Sequence, residues 1–122
     1  MEVIIIGAGL AGSEAALQLA KRNIKVKLYE MRPQKTTGAH ITENCAEFVC
    51  SNSLGSADIT NASGLLKAEM QELGGELINI AYECRVPAGN ALAIDRIGFS
   101  KKITDLIEKN ENIELVREEL KE

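Results

Sequence analysis

The strongest constraint on the fold lies at the start of the chain, where residues 3–12 read VIIIGAGLAG. A continuous β-branched run such as residues 3–6 is typical of a strand covered on both faces in a parallel sheet. Three glycines follow in the spacing G-x-G-x-x-G, and alanines and leucines then recur at helical spacing over residues 10–22. Strand, glycine turn and helix in this order predict the beginning of a dinucleotide-binding βαβ unit.

Each glycine of this turn has a separate physical task. Gly7 allows the tight turn, Gly9 lets the backbone approach a pyrophosphate, and Gly12 lets the helix pack closely on the strand. The anion then sits at the helix N-terminus, where free N–H groups and the helix dipole favour negative charge. The predicted cofactor-binding residues of the turn are Gly7, Ala8, Gly9, Leu10, Ala11 and Gly12.

A second strand is predicted over residues 25–30, which alternate in polarity and end in an acid, Glu30. Glu30 follows Gly12 by eighteen residues, close to the spacing at which an acid reaches the ribose hydroxyls of a bound dinucleotide. A carboxylate at this place repels a 2′-phosphate. The site is therefore expected to disfavour NADP.

A long polar segment, residues 31–60, then interrupts the alternation of strands and helices. By analogy, this interruption is more typical of flavoproteins than of NAD enzymes. A helix that buries Leu66, Met70 and Leu73 is predicted to begin at Ser63 and to stop at residues 74–75.

The last two predicted elements are a helix over residues 99–107 and a strand over residues 113–116 that returns to the sheet. Arg96, just before this helix, is a candidate for holding a phosphate or carboxylate, although a structural contact with Asp95 is favoured. The predicted fold class is α/β, with a Rossmann-like domain and a parallel sheet that starts β-α-β.

Composition narrows the classes of function. The 122 residues carry a net charge of −4 with a pI near 5.1, which argues against binding of DNA or RNA by bulk positive charge. The absence of a leader, of a long apolar run and of paired cysteine motifs favours a cytoplasmic protein that does not enter a membrane.

Three thiols and one imidazole raise the question of a metal site. His40, Cys45, Cys50 and Cys84 are sufficient in number for a tetrahedral zinc, but their spacing lacks a C-x2-C pair. No metal site is predicted, and Cys45 and Cys84 are interpreted as small buried hydrophobic residues. Cys50 stands between an apolar triplet and small polar residues in AEFVCSNSLGS, which leaves a buried, a metal-binding and a nucleophilic role to compare.

Five blocks of sequence carry a resemblance to one family. They are YEMRP (29–33), TGAHIT (37–42), AEFVCSNSL (46–54), TNASGLLKAEM (60–70) and VPAGNALAIDRIGFS (86–100). The chain resembles the folate- and FAD-dependent tRNA (uracil-5-)-methyltransferases, relatives of the glucose-inhibited-division flavoproteins. The resemblance implies that residues 1–122 are the N-terminal portion of an FAD/NAD(P)-binding domain, with the remainder of the family's chain absent.

The resemblance also implies a reaction. Family members methylate C5 of a T-loop uridine in tRNA, with methylenetetrahydrofolate as one-carbon donor, FAD as cofactor and NAD(P)H as reductant. The partners implied are tRNA and folate, and no protein partner is expected. Alternatives are a catalytically silent FAD-binding module, a related flavoprotein that methylates another RNA, and an NAD-dependent oxidoreductase.

The resemblance assigns roles to residues after the second strand. Cys50 matches a functional cysteine that either attacks uracil C6 or partners a flavin-bound methylene. Ser51 and Asn52 are expected to orient flavin or substrate. His40 is expected to be a proton shuttle or an ordinary loop residue, with equal weight, and Arg96 is a possible substrate contact.

Overall fold

The computed structural model describes residues 1–49 and 51–121. Strands and helices alternate over much of this length, which confirms the predicted α/β fold. The elements are, in chain order, β1 (Glu2–Ile6), α1 (Leu10–Lys21), β2 (Lys25–Tyr29), β3 (Ser53–Ser56), α2 (Ala62–Glu72), α3 (Glu76–Glu83), β4 (Arg85–Val86), β5 (Ala91–Ile94), α4 (Arg96–Lys109) and β6 (Ile113–Val116).

A parallel sheet in the order β1-β2-β6 holds the predicted βαβ unit, and β6 returns to it as expected. The register places Ile6 beside Tyr29 and Tyr29 beside Val116, so all three strands end at one level. The glycine turn and Glu30 therefore leave the sheet at the same edge. Ligands of open parallel sheets bind outside this carboxyl-terminal edge.

The expectation that β1 is covered on both faces is wrong for the described chain. β1 lies at the edge of the three-stranded sheet, and its Ile4 and Ile6 are 56% and 70% exposed. The strand at the centre is β2, whose Val26 and Leu28 are buried. A β-branched run is thus compatible with an edge position when one of its faces packs on a helix.

Close packing of α1 on the turn before it depends on Gly12. Gly7 has a φ of 95°, in the region that favours glycine, and the chain then enters α1 at Leu10. A Cβ placed on Gly12 would lie 1.9 Å from the carbonyl oxygen of Gly7. At the other end of α1, Asn23 has a left-handed φ of 61°, a conformation that asparagine adopts at helix C-termini where glycine is absent.

A second, antiparallel sheet in the order β3-β5-β4 was not predicted. Its strands have four, four and two residues, and β3 lies within the long polar segment. The eight-residue helix α3 was also missed, although its Leu77, Ile78, Ile80 and Ala81 are buried. Elements this short carry too few periods for a hydrophobic pattern to identify them.

Helix α2 is present where expected, but its cap and its buried face differ from the prediction. Asn61, not Ser63, is the cap, and its side chain accepts the N–H of Gly64 at 3.0 Å. Leu66 and Leu73 are 58% and 84% exposed, so the apolar positions chosen from spacing do not face the core.

The core is formed by residues of α1, α3, α4, the parallel sheet, β5 and the segment before Cys50. Phe99 of α4 meets the ring of Phe48 edge-on, with centroids 5.3 Å apart. Cys45 is fully buried as predicted, whereas Cys84 is only partly buried. Within residues 1–49 and 51–121, no helix has the length and apolar character needed to cross a bilayer.

Replacing Gly12 with alanine is expected to destabilise the fold. The added methyl would overlap backbone rather than a flexible side chain, and overpacking of this kind costs about 1–3 kcal/mol. Chemical denaturation measures the free energy of unfolding. Gly9→Ala is the matched control, because a Cβ there meets no atom within 4 Å, and equal losses in the two variants would contradict the packing role of Gly12.

Candidate functional site

The glycine turn opens onto a cleft of about 410 Å³ at the carboxyl-terminal edge of the parallel sheet. The helix α1 begins at this cleft, and its N-cap, Gly9, has no side chain to occupy the first N–H groups. A free helix N-terminus with a positive dipole end is suited to an anion. This space, called the glycine cleft below, is lined by Ile6, Gly7, Gly9, Tyr29, Glu30, Met31, Arg32, His40, Glu118, Glu119 and Leu120.

The six predicted residues of the turn separate into two groups. Gly7 and Gly9 line the cleft, and Leu10 and Ala11 are exposed in the first turn of α1. Ala8 is fully buried, with both backbone groups occupied: its N–H donates to Glu30 Oε1 at 3.1 Å and its carbonyl accepts from Ala46 at 2.8 Å. Ala8 and Gly12 therefore shape the turn and Gly7 and Gly9 line the cleft, whereas Leu10 and Ala11 are not among its lining residues.

Glu30 lines the cleft but is tied to the protein more fully than the sequence indicated. Its side chain is 7% exposed, and Oε2 accepts both the backbone N–H and the Nε–H of Arg32, at 3.1 and 2.9 Å. Arg32 is itself 2% exposed and extends its Nη1 to Glu47 Oε2 at 3.0 Å. One guanidinium thus joins two buried carboxylates.

The other donors of Arg32 hold the polar segment that follows β2. Its Nη1 also donates to the carbonyl of Thr42 at 2.8 Å, and its Nη2 donates to the carbonyl of Asn44 at 3.2 Å. Glu47 accepts the backbone N–H of Thr42 at 2.6 Å and that of Ile41. The segment is therefore organised around charged side chains where it has no strand or helix of its own.

Both carboxylates of this network have pKa values below the ordinary range. Burial alone would raise the pKa of Glu30, but hydrogen bonds from Arg32 and from the Ala8 N–H outweigh it. Burial likewise opposes the shift at Glu47, where hydrogen bonds from Thr42 and Ile41 and the charge of Arg32 lower the pKa. Both groups are ionised in the folded protein at neutral pH.

Sequence reasoning did not find Arg32 and Glu47. Each stands in a polar segment, where the usual state of a charged residue is exposed, and no spacing rule identifies the exceptions. The only signal was the position of Arg32, two residues after an acid at the end of a strand.

His40 lies between the glycine cleft and a neighbouring cleft of about 420 Å³. Its Nδ1 is 2.7 Å from the hydroxyl oxygen of Thr37, which fixes the orientation of the ring. The other ring nitrogen is not used by this contact. The structure thus places His40 at the glycine cleft together with Glu30, as a shared site would require.

Ser51, Asn52 and Arg96 meet at a different cleft, of about 610 Å³, which we call the Arg96 cleft; Val86, Ile94 and Asp95 complete its lining. The Asn52 amide donates to the Ile94 carbonyl at 3.2 Å, so this side chain supports the junction with β5. Asp95 accepts the N–H of Gly98 at 3.1 Å as the cap of α4. Among the described residues no ion pair joins Asp95 to Arg96.

Cys50, the predicted catalytic residue, lies outside the described residues. Its neighbour Ser51 accepts the N–H of Ser53 at 3.3 Å and lines the Arg96 cleft. The predicted site residues that line a cleft are therefore divided between two clefts, with Gly7, Gly9, Glu30 and His40 at one and Ser51, Asn52 and Arg96 at the other.

A parallel sheet, a glycine turn into α1 and an acid after β2 together give the arrangement of a dinucleotide-binding α/β domain. The family model described as glucose inhibited division protein A matches residues 2–122, and the chain belongs to that family.

Similar proteins carry a more specific name. The chain is 59% identical to a methylenetetrahydrofolate–tRNA-(uracil-5-)-methyltransferase TrmFO of Fusobacterium nucleatum, over 99% of this chain and 28% of that protein. It is 58% identical to the TrmFO of Persephonella marina, over 98% of this chain and 27% of that protein. The chain thus spans little more than a quarter of the length of these relatives.

A solved structure of Aquifex aeolicus GidA in its form II crystal has the same fold. The TM-score is 0.71 at 20% sequence identity, over 95% of this chain and 19% of that chain. At this identity the likeness concerns the fold.

The buried network is expected to make stability depend on pH. Because the folded pKa values of Glu30 and Glu47 are depressed, stability begins to fall as the pH drops through the unfolded pKa of glutamate, about 4.3, and it continues to fall until both folded carboxylates are protonated. Glu47→Gln should lower the free energy of unfolding by about 2 kcal/mol at pH 7, and by less below pH 4. Urea denaturation across this range measures the difference.

The matched control is Glu83→Gln, which removes an exposed carboxylate paired with Lys102 at 3.2 Å. Exposed pairs contribute about 0–1 kcal/mol, so this variant should stay close to the unaltered protein. A constant difference between Glu47→Gln and the unaltered protein from pH 3 to pH 7 would contradict a role for the ionised carboxylate.

Proposed function

We propose that the whole protein carrying this chain methylates C5 of a T-loop uridine in tRNA, with methylenetetrahydrofolate as one-carbon donor, FAD as cofactor and NAD(P)H as reductant. The observation that carries the proposal is the 54–59% identity, over 98–100% of this chain, to relatives named for that methyl transfer. The matched length includes the segments around both clefts.

The glycine cleft suits the ADP half of FAD. A Cβ on Gly9 would meet no protein atom within 4 Å, so a bound group can approach the backbone there. The first turn of α1 offers N–H groups to a pyrophosphate, and Glu30 offers a carboxylate oxygen to a ribose hydroxyl. The same carboxylate repels a 2′-phosphate, which supports FAD or NAD over NADP in this cleft.

The uracil ring needs activation because its C5 is a poor nucleophile. A thiolate that adds to C6 moves electron density to C5; after C5 forms its new bond, the C5 proton leaves and the C6–S bond breaks. Cys50 is the proposed thiol, either in this addition or as the partner of the one-carbon unit. FAD, when bound, supplies the transfer and reduction of that unit.

The other proposed roles belong to residues that the structure describes. Arg96, which is half-buried, lines the Arg96 cleft and has no ion-pair partner among the described residues. It is proposed to contact an anionic group of the substrate. Ser51 supplies a hydroxyl at the same cleft, and His40 is proposed to move a proton at the glycine cleft.

Replacing Gly9 with alanine should weaken the binding of FAD without unfolding the chain. The methyl enters space that the pyrophosphate is proposed to occupy, and we expect the Kd to rise by about tenfold or more, since a displaced charge-assisted hydrogen bond contributes on that order. Flavin fluorescence titration measures the Kd. An unchanged Kd would remove Gly9 from the binding site.

Replacing Cys50 with alanine should abolish folate-dependent methylation of tRNA by the whole protein, because no other group replaces a nucleophilic thiol. Transfer of label from methylenetetrahydrofolate to tRNA measures the activity. Cys84→Ala is the control, since it removes a partly buried thiol that has no proposed role. Normal turnover by Cys50→Ala, or equal losses in the two variants, would refute the assignment.

A further inference from the structure

The buried Arg32 is oriented toward protein groups and not toward a ligand. An arginine side chain has five N–H donors, and four of them are used by Glu30, Thr42, Asn44 and Glu47. With 2% of its side chain exposed, Arg32 offers almost nothing to the glycine cleft that it borders. Its effect on a ligand must pass through another residue.

That residue is Glu30, whose capacity to accept hydrogen bonds is nearly filled. A carboxylate has about four acceptor positions, two on each oxygen. Oε2 takes two donors, the backbone N–H and the Nε–H of Arg32, and Oε1 takes the Ala8 N–H. One position on Oε1 is left. The carboxylate can therefore accept a hydrogen bond from one ligand hydroxyl, and it cannot accept a second without losing a hydrogen bond to the protein.

Glu47 determines whether Arg32 stays in this orientation. Its Oε2 holds Nη1 of Arg32, while its oxygens also accept N–H groups of Ile41 and Thr42, so the anchor is itself fixed. Without the anchor, the guanidinium gains freedom to rotate, and Glu30 Oε2 can lose the Nε–H of Arg32 and keep only its backbone N–H. Groups held in the binding geometry before the ligand arrives bind it with a smaller loss of entropy.

We propose that Arg32 and Glu47 are positioning residues that fix the Glu30 carboxylate so that it recognises a single hydroxyl of the adenosine ribose. This inference rests on the proposed binding of FAD. It adds that the selectivity for one hydroxyl over the other resides in a buried pair that does not touch the cofactor.

The test compares three ligands: FAD, FAD with a 2′-deoxyadenosine half and FAD with a 3′-deoxyadenosine half, each titrated by flavin fluorescence. The unaltered protein should bind one deoxy ligand about tenfold more weakly than FAD and the other within about twofold, as expected for one hydrogen bond to a charged acceptor. Arg32→Lys, which keeps the charge but loses the planar fork, should reduce the tenfold ratio to about twofold. Glu47→Gln should act in the same direction.

Lys102→Met is the control, because it removes an exposed ion pair whose residues are distant in sequence from Glu30, Arg32 and Glu47. The ratios of its Kd values for the three ligands should equal those of the unaltered protein. A purely structural role for Arg32 and Glu47 would weaken all three ligands by the same factor and leave the ratios unchanged, which overturns the inference. Equal affinity of the unaltered protein for all three ligands also overturns it, while leaving FAD binding intact. Failure to bind FAD at all overturns the proposed function as well.

Discussion

The site depends on the backbone hydrogen bonds of the buried residue Ala8 to three segments of the chain. Its N–H donates to Glu30 after β2, and its carbonyl accepts from Ala46 and from the Ser13 hydroxyl. Ala46 has a φ of 54°, unusual for a residue with a side chain, and its bond to Ala8 helps to offset that cost. One residue of the glycine turn thus joins the first helix, the second strand and the polar segment, so the shape of the turn and the position of Glu30 are set together.

The βαβ unit could be predicted from sequence because several local rules agree there. The β-branched run, the glycine spacing and the helical recurrence each constrain a few neighbouring residues, and all of them favour the same geometry. The sequence predictions failed where the structure depends on contacts with elements distant in sequence. The exposure of Leu66 on α2 follows from which face of the helix meets α3 and β3, and spacing alone does not determine that.

The candidate site shows the same division. Gly7, Gly9 and Glu30 could be placed at one edge from strand order, since parallel strands end together. The burial of Arg32 could not be predicted in this way. Its side chain is stabilised by Glu47 and by backbone carbonyls ten and twelve residues away, and no short sequence pattern encodes those partners. Asn52 differs in the opposite way. It was expected to orient flavin or substrate, but its side-chain amide donates to the carbonyl of Ile94 in β5.

These contacts give the two sides of the glycine cleft opposite electrostatic character. Two carboxylates and one guanidinium leave a net charge of −1 beside β2, and an anionic pyrophosphate near them would be repelled. The first turn of α1, across the glycine turn, carries the positive end of a helix dipole and uncapped N–H groups. This polarity favours one orientation of a ligand that has an anionic part and a hydroxyl-bearing part, and it is the orientation of the proposed binding mode, with phosphate at Gly9 and ribose at Glu30. Because Ala8 holds both ends of this arrangement, the polarity of the cleft is a property of the fold and not of any single charge.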